Sequence, residues 1–119
     1  MPASTNYTAT RVVSAATTNS TLIKAGPGSI VGIIASNSTA SAKFLKLYNK
    51  VTAPTVGTDI PVLTLAIPAG NVLQLVDLDQ IDLRTLFPLG IGLGITGAQV
   101  DTDTTATAVA DVILSIFFN

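Results

Sequence analysis

Turn-forming residues interrupt this sequence every eight to twelve positions, and the stretches between them consist of strand-forming residues. The breaks fall at Gly26-Pro27-Gly28, at Asn37-Ser38-Thr39, between Pro54 and Asp59, at Ala69-Gly70-Asn71 and from Gly97 onward. Thr occurs 17 times, Val and Ile are abundant, and Glu is absent. Branching at Cβ restricts rotamers in a helix but packs well on a pleated surface. No stretch repeats its apolar residues at helical spacing. The chain is therefore predicted to be all-β.

Strands are predicted over residues 7–15, 21–25, 29–36, 43–50, 61–68, 72–78, 89–96 and 108–118. Residues 29–36 are apolar on both faces, as in a central strand. Residues 43–50 and 61–68 alternate, with Leu45 and Leu47, then Leu63, Leu65 and Ile67, on one face. Residues 79–88 read as irregular, with room for a short helical turn. About eight strands fit an antiparallel β-sandwich of Greek-key or jelly-roll type. Residues 1–20 read as an N-terminal arm or first edge strand, and 21–119 as a single sandwich domain. The arm is a candidate tether, with Tyr7 and Arg11 as candidate partner contacts.

Composition narrows the function. Charged residues make up only 11% of the 119, against roughly 25% in an ordinary soluble domain. A folded chain of this size exposes about 6,000 Å², so its charges are spread at about one per 460 Å². Such a surface is expected to be reserved in part for other subunits. Cys, His, Trp and Glu are all absent, which removes disulfides, imidazole bases and the commonest zinc ligands. A net charge of −1 gives no basic footprint for nucleic acid. The polar first 20 residues do not read as a secretory signal. The longest apolar stretch, residues 86–100, is broken by Pro88 and four glycines, and no segment reaches the roughly 20 residues of a membrane helix. Asn6, Asn19 and Asn37 each begin an Asn-X-Thr sequon, a mild enrichment that is not expected to be used without such a signal.

No motif predicts catalysis, a cofactor or a metal. Gly92-Leu93-Gly94-Ile95-Thr96-Gly97 matches a dinucleotide fingerprint, but the residues after it do not read as the helix that would meet a pyrophosphate. Gly90, Gly92 and Gly94 instead share one strand face, which implies a close approach by another element of the chain or by another subunit. Asp77, Asp79 and Asp82, and Asp101, Asp103 and Asp111, lack the Gly and bidentate Glu of a calcium loop. They read as aspartates that cap turns. Ser41 and Lys43 stand outside any nucleophile motif. Gly26-Pro27-Gly28-Ser29 is a turn, not a phosphate loop. Phe44, Lys46, Tyr48 and Lys50 form an aromatic–basic stripe, expected as a half-exposed sheet face or subunit contact.

Several stretches together resemble a group of small tailed-phage and prophage structural proteins. They are Thr21-Leu22-Ile23-Lys24-Ala25-Gly26-Pro27-Gly28, Lys43-Phe44-Leu45-Lys46-Leu47-Tyr48-Asn49-Lys50 and Thr52-Ala53-Pro54-Thr55-Val56-Gly57-Thr58-Asp59-Ile60-Pro61, followed by residues 89–97 and Asp101-Thr102-Asp103-Thr104-Thr105. The resemblance spans roughly residues 21–118, and Tyr48-Asn49-Lys50 with Ala53-Pro54-Thr55-Val56-Gly57-Thr58-Asp59 is its most specific part. Residues 76–88 depart from it, being longer than the connection it implies. The resemblance implies a β-sandwich that works by binding, with no catalytic residues. It is most like a capsid decoration (cement) protein, which would bind the major capsid protein as a homotrimer on the virion exterior after assembly in the host cytoplasm. The alternative is a tail- or fibre-associated module that binds host glycans. Candidate contacts are Tyr7, Arg11, Phe44, Lys46, Tyr48, Gly90, Gly92 and Gly94, with no nucleic acid or membrane partner.

Overall fold

A computed structural model of the chain describes residues 7–75 and 86–119. Its strands are β1 (Thr8–Val13), β2 (Thr21–Lys24), β3 (Ile30–Asn37), β4 (Lys43–Tyr48), β5 (Leu63–Ile67), β6 (Val72–Leu75), β7 (Ile91–Thr96) and β8 (Val112–Phe118). Each falls within one residue of a stretch predicted from alternation and turn chemistry. The last begins later than predicted, because residues 108–111 form a turn. Ala110 takes a left-handed φ of 60° there, and the Asp111 carboxylate accepts from the Ala108 amide at 2.8 Å. The helical turn expected within residues 79–88 falls mainly outside the described residues.

The strands form two antiparallel sheets, with orders β1-β8-β3-β6 and β2-β7-β4-β5. A simple rule underlies both. β4 pairs with β5, β3 with β6, β2 with β7 and β1 with β8. The chain is thus one long antiparallel ribbon doubled back on itself at the β4–β5 connection. β8 also lies against β3, and β7 against β4. Those two contacts roll the ribbon into a pair of facing sheets, a β-sandwich.

The core lies between the sheets. Ile33, Ala35, Leu114 and Ile116 come from the first sheet and meet Leu45, Leu47, Leu93 and Ile95 from the second. Their period of two follows from the pleat. Phe87 is also fully buried, although it lies outside any strand. Two asparagines hold loops to this frame. Asn37 donates to the carbonyls of Ser41 at 2.9 Å and Ile67 at 3.0 Å. Asn19 donates to the Thr17 carbonyl at 3.1 Å and the Thr107 hydroxyl at 2.8 Å, and accepts from the Ala15 amide at 2.7 Å. Both side-chain amides are buried and use both N–H groups internally, so neither sequon presents an acceptor nitrogen in the folded chain. Asn6 lies outside the described residues.

Candidate functional site

The two outer faces of the sandwich are built differently. The second sheet carries an additional layer. Its outward positions include Lys46 opposite Gly94 and Tyr48 opposite Gly92. Residues 49–62 fold back across this face. A Cβ on Gly92 would lie 3.0 Å from Pro54 Cδ, and one on Gly94 would lie 2.7 Å from Val56 Cγ2. One on Gly90 would press into the Lys50 carbonyl oxygen and lie 2.7 Å from that of Lys24. The close approach implied by the glycine stripe is therefore made by the chain's own loop, within one subunit.

Hydrogen bonds secure this roof. Ser20 Oγ donates to the Pro54 carbonyl. Asp59 accepts from Lys50 Nζ and from the Thr55 amide, both at 2.7 Å. Those bonds, Lys50 first, hold the Asp59 carboxyl below the usual carboxylate range. Asn49 Oδ1 accepts from the Leu89 amide at 2.8 Å. Residues 97–107 cover the far end. There Asp103 accepts from the Thr105 hydroxyl at 2.7 Å and from the amides of Ala98 and Thr105, each at 3.1 Å. Its carboxyl is likewise held low, chiefly by the Thr105 side chain. No helix starts after Gly97, so the dinucleotide-like motif lacks the helix N-terminus that its chemistry needs.

Under this roof the aromatic–basic stripe is not the half-exposed face expected from alternation. Lys46 and Tyr48 are fully buried. The glycines opposite them leave room for the loop to pack down. Lys46 Nζ donates to the Val100 carbonyl at 2.6 Å, and burial lowers its pKa despite the nearby Asp103 and Asp101. The Tyr48 hydroxyl has no hydrogen-bond partner among the described residues. Burial, with Asp101 and Asp59 nearby, pushes its pKa up to about 12. Phe44 and Lys50 remain half-buried at the margins.

The first sheet has no such layer among the described residues. Its registers place Ala9, Arg11 and Val13 outward from β1, and Ile113, Ser115 and Phe117 outward from β8. Ile34 and Ser36 of β3 and Val72 and Gln74 of β6 continue the same face, while Gly32 on that face is buried. Ile34 is 40% exposed and Val72 53%. Tyr7 packs edge-on against Phe117, with ring centroids 6.0 Å apart and planes at 77°. Arg11 is the one charged side chain of this outward set, and among the described residues it forms no ion pair. The face is largely aliphatic and aromatic, and among the described residues nothing is layered over it.

The structure thus divides the candidate contacts. Tyr7 and Arg11 stand on the open face. Gly90, Gly92, Gly94, Lys46 and Tyr48 are buried beneath the roof, with Phe44 and Lys50 at its margin. Ile34, Val72, Ile113 and Phe117 complete the open face, and the sequence does not single them out. Their signal is the two-sided apolar character of residues 29–36 and 108–118, readable as a face only once register is known.

The chemistry-bearing residues are dispersed. Ser41 sits in an exposed turn, while the Lys43 ammonium lies 3.9 Å from Asp111. No group of three or more Asp that could hold a metal occurs among the described residues, and Asp77, Asp79 and Asp82 lie outside them. No helix among the described residues is long and apolar enough to cross a membrane. A shallow pocket of about 190 Å³ is lined by Lys24, Pro27, Gly28, Ser29 and Asn119. It is smaller than the roughly 300–1,000 Å³ of small-molecule sites. No family model matches the chain, and no curated protein or solved structure matches it.

Proposed function

We propose that this chain is a non-enzymatic structural protein of a phage particle, a decoration protein that binds the outside of a shell of major capsid protein and stabilises it. We further propose that its two sheets form a jelly roll. The doubled-ribbon pairing supports that topology, since rolling one ribbon into two sheets is the simplest route to these strand orders.

The observation that carries the reading is the open outer face of the first sheet. Four strands about 4.8 Å apart, each presenting about five residues of length, make a face of about 300 Å². At about 25 cal/mol per Å² of apolar area, covering it contributes at most about 8 kcal/mol before the cost of association. That cost is estimated at about 4–15 kcal/mol, so one such contact is marginal alone. Multivalent attachment of an oligomer to a repeating shell turns marginal contacts into stable ones. The sparse charge and the motif resemblance support the same reading, including a homotrimer.

The experiment is co-sedimentation of purified protein with shells of a phage major capsid protein, followed by heating of bare and coated shells. The reading expects saturable binding, a higher shell melting temperature and a trimer by sedimentation equilibrium. A protein that leaves shells unbound, or binds host glycans in their place, contradicts it.

A further inference from the structure

We propose that Arg11 is the residue that selects the partner on the open face, by pairing with a carboxylate on an otherwise apolar protein surface. The inference rests on the decoration reading above and names the chemistry of the surface that this face meets.

Arg11 lies outward on β1 directly across from Ser115, with Val13 and Ala9 two residues away along its strand. Phe117 and Ile113 are its diagonal neighbours on β8, within reach of a long side chain. A partner that covers these residues also meets Arg11, which is exposed on the edge strand of the sheet. A buried guanidinium without an anion is costly, whereas a carboxylate that takes both N–H groups of its fork satisfies it. Among the described residues the outward set of the first sheet includes no Asp, and a carboxylate on the partner would supply the anion.

This argues against the simplest self-association. Two copies pairing face to face would bury two guanidinium groups, and the described outward residues would supply no carboxylate. Such a pair would also cover about 300 Å² per copy, against about 800 Å² per partner in a stable interface. The occupant that fits is a surface of another protein, flat and apolar, bearing one carboxylate and repeated often enough for many weak contacts to act together.

The test uses the same shells of major capsid protein, with wild type, R11K and R11M compared at low and at high salt. Circular dichroism verifies that each variant is folded. Wild type is expected to bind, and more weakly as salt rises. Removing one partner of a buried charge pair predicts that R11M binds at least about 30-fold more weakly. Lys cannot reproduce the planar two-point contact, so R11K is expected to bind about tenfold more weakly. If wild type binds and both variants match it, the Arg11 inference is overturned while the decoration reading stands. It is overturned equally if R11K matches wild type and only R11M fails, since any cation would then serve. If wild type itself does not bind shells, both fall. Vesicles of anionic phospholipid form a parallel arm, and Arg11-dependent binding to them, with none to shells, also overturns the protein-partner assignment.

Discussion

The two outer faces of this sandwich arise from similar strands and end in opposite states. On the second sheet, Gly92 and Gly94 lie opposite Tyr48 and Lys46, and a loop descends into the space that the glycines leave. On the first sheet, Phe117, Ile34 and Ser115 occupy the corresponding outward positions, and no described loop crosses them. On the second sheet, the space left by Gly92 and Gly94 beside Tyr48 and Lys46 is what admits the loop. A face roofed internally becomes part of the fold, and a face left open is available to a partner.

Substitutions can break this contrast at known points. The largest effect is expected from Gly90→Ala, whose new methyl group would meet the backbone carbonyls of Lys50 and Lys24. Backbone cannot step aside as a side chain can, so a loss of about 3 kcal/mol is expected in urea unfolding. Ser115→Ala, on the open face, should change stability by less than about 0.5 kcal/mol.

Tyr48→Phe should act in the opposite direction. It removes a buried hydroxyl that lacks a partner, so a gain of about 1 kcal/mol at neutral pH is expected. The pH dependence separates this from simple repacking. Unfolded Tyr loses its proton near pH 10, whereas folded Tyr48 keeps it to about 12. The folded state then holds the extra proton, and wild-type stability falls across that window. Lys46 works in the opposite sense, because its lowered pKa makes stability rise as pH approaches its ordinary value. The difference between wild type and Tyr48→Phe, measured from pH 9 to 12, isolates the phenol.

A smaller effect is expected in acid. Asp59 and Asp103 secure the roof, and both are held below their ordinary range. Their contribution is present above the unfolded carboxylate pKa of about 4 and is lost as pH falls through the folded values. Hydrogen exchange below pH 4 should therefore rise first in residues 49–62 and 97–107, while β3 and β8 stay protected. An effect as small as that of Ser115→Ala, within about 0.5 kcal/mol, is expected from Ile34→Thr in the free protein, because its side chain is 40% exposed.

Much of the fold was legible because alternation and turn residues are local signals. Leu45, Leu47, Leu63 and Leu65 announced their inward face by a period of two, and Gly70 with Asn71 marked the β5–β6 turn. The strand start at Val112 was not legible. It depends on Ser14, a residue distant in sequence, whose backbone oxygen accepts from the Ala110 amide and whose hydroxyl accepts from the Val112 amide. The glycine stripe correctly signalled close approach, but the identity of the approaching segment required the loop to be placed. Lys46 and Tyr48 misled for the same reason. Alternation assigns a residue to the outer face, and only tertiary packing decides whether that face meets water. Asn19 and Asn37 resembled glycosylation signals, while their roles depend on partners distant in sequence, the Thr107 hydroxyl and the Ile67 carbonyl.

The open face of the first sheet, not the roofed one, is proposed to dock the partner. Placing one carboxylate on each side and measuring shell binding distinguishes the two faces. Ile34→Asp charges the open face, and Ile60→Asp charges the roof at a position that is 75% exposed. Both side chains already meet water, so both variants should fold. Ile34→Asp is expected to lose shell binding while Ile60→Asp binds as wild type does. Binding retained by Ile34→Asp and lost by Ile60→Asp would put the docking surface on the roof instead.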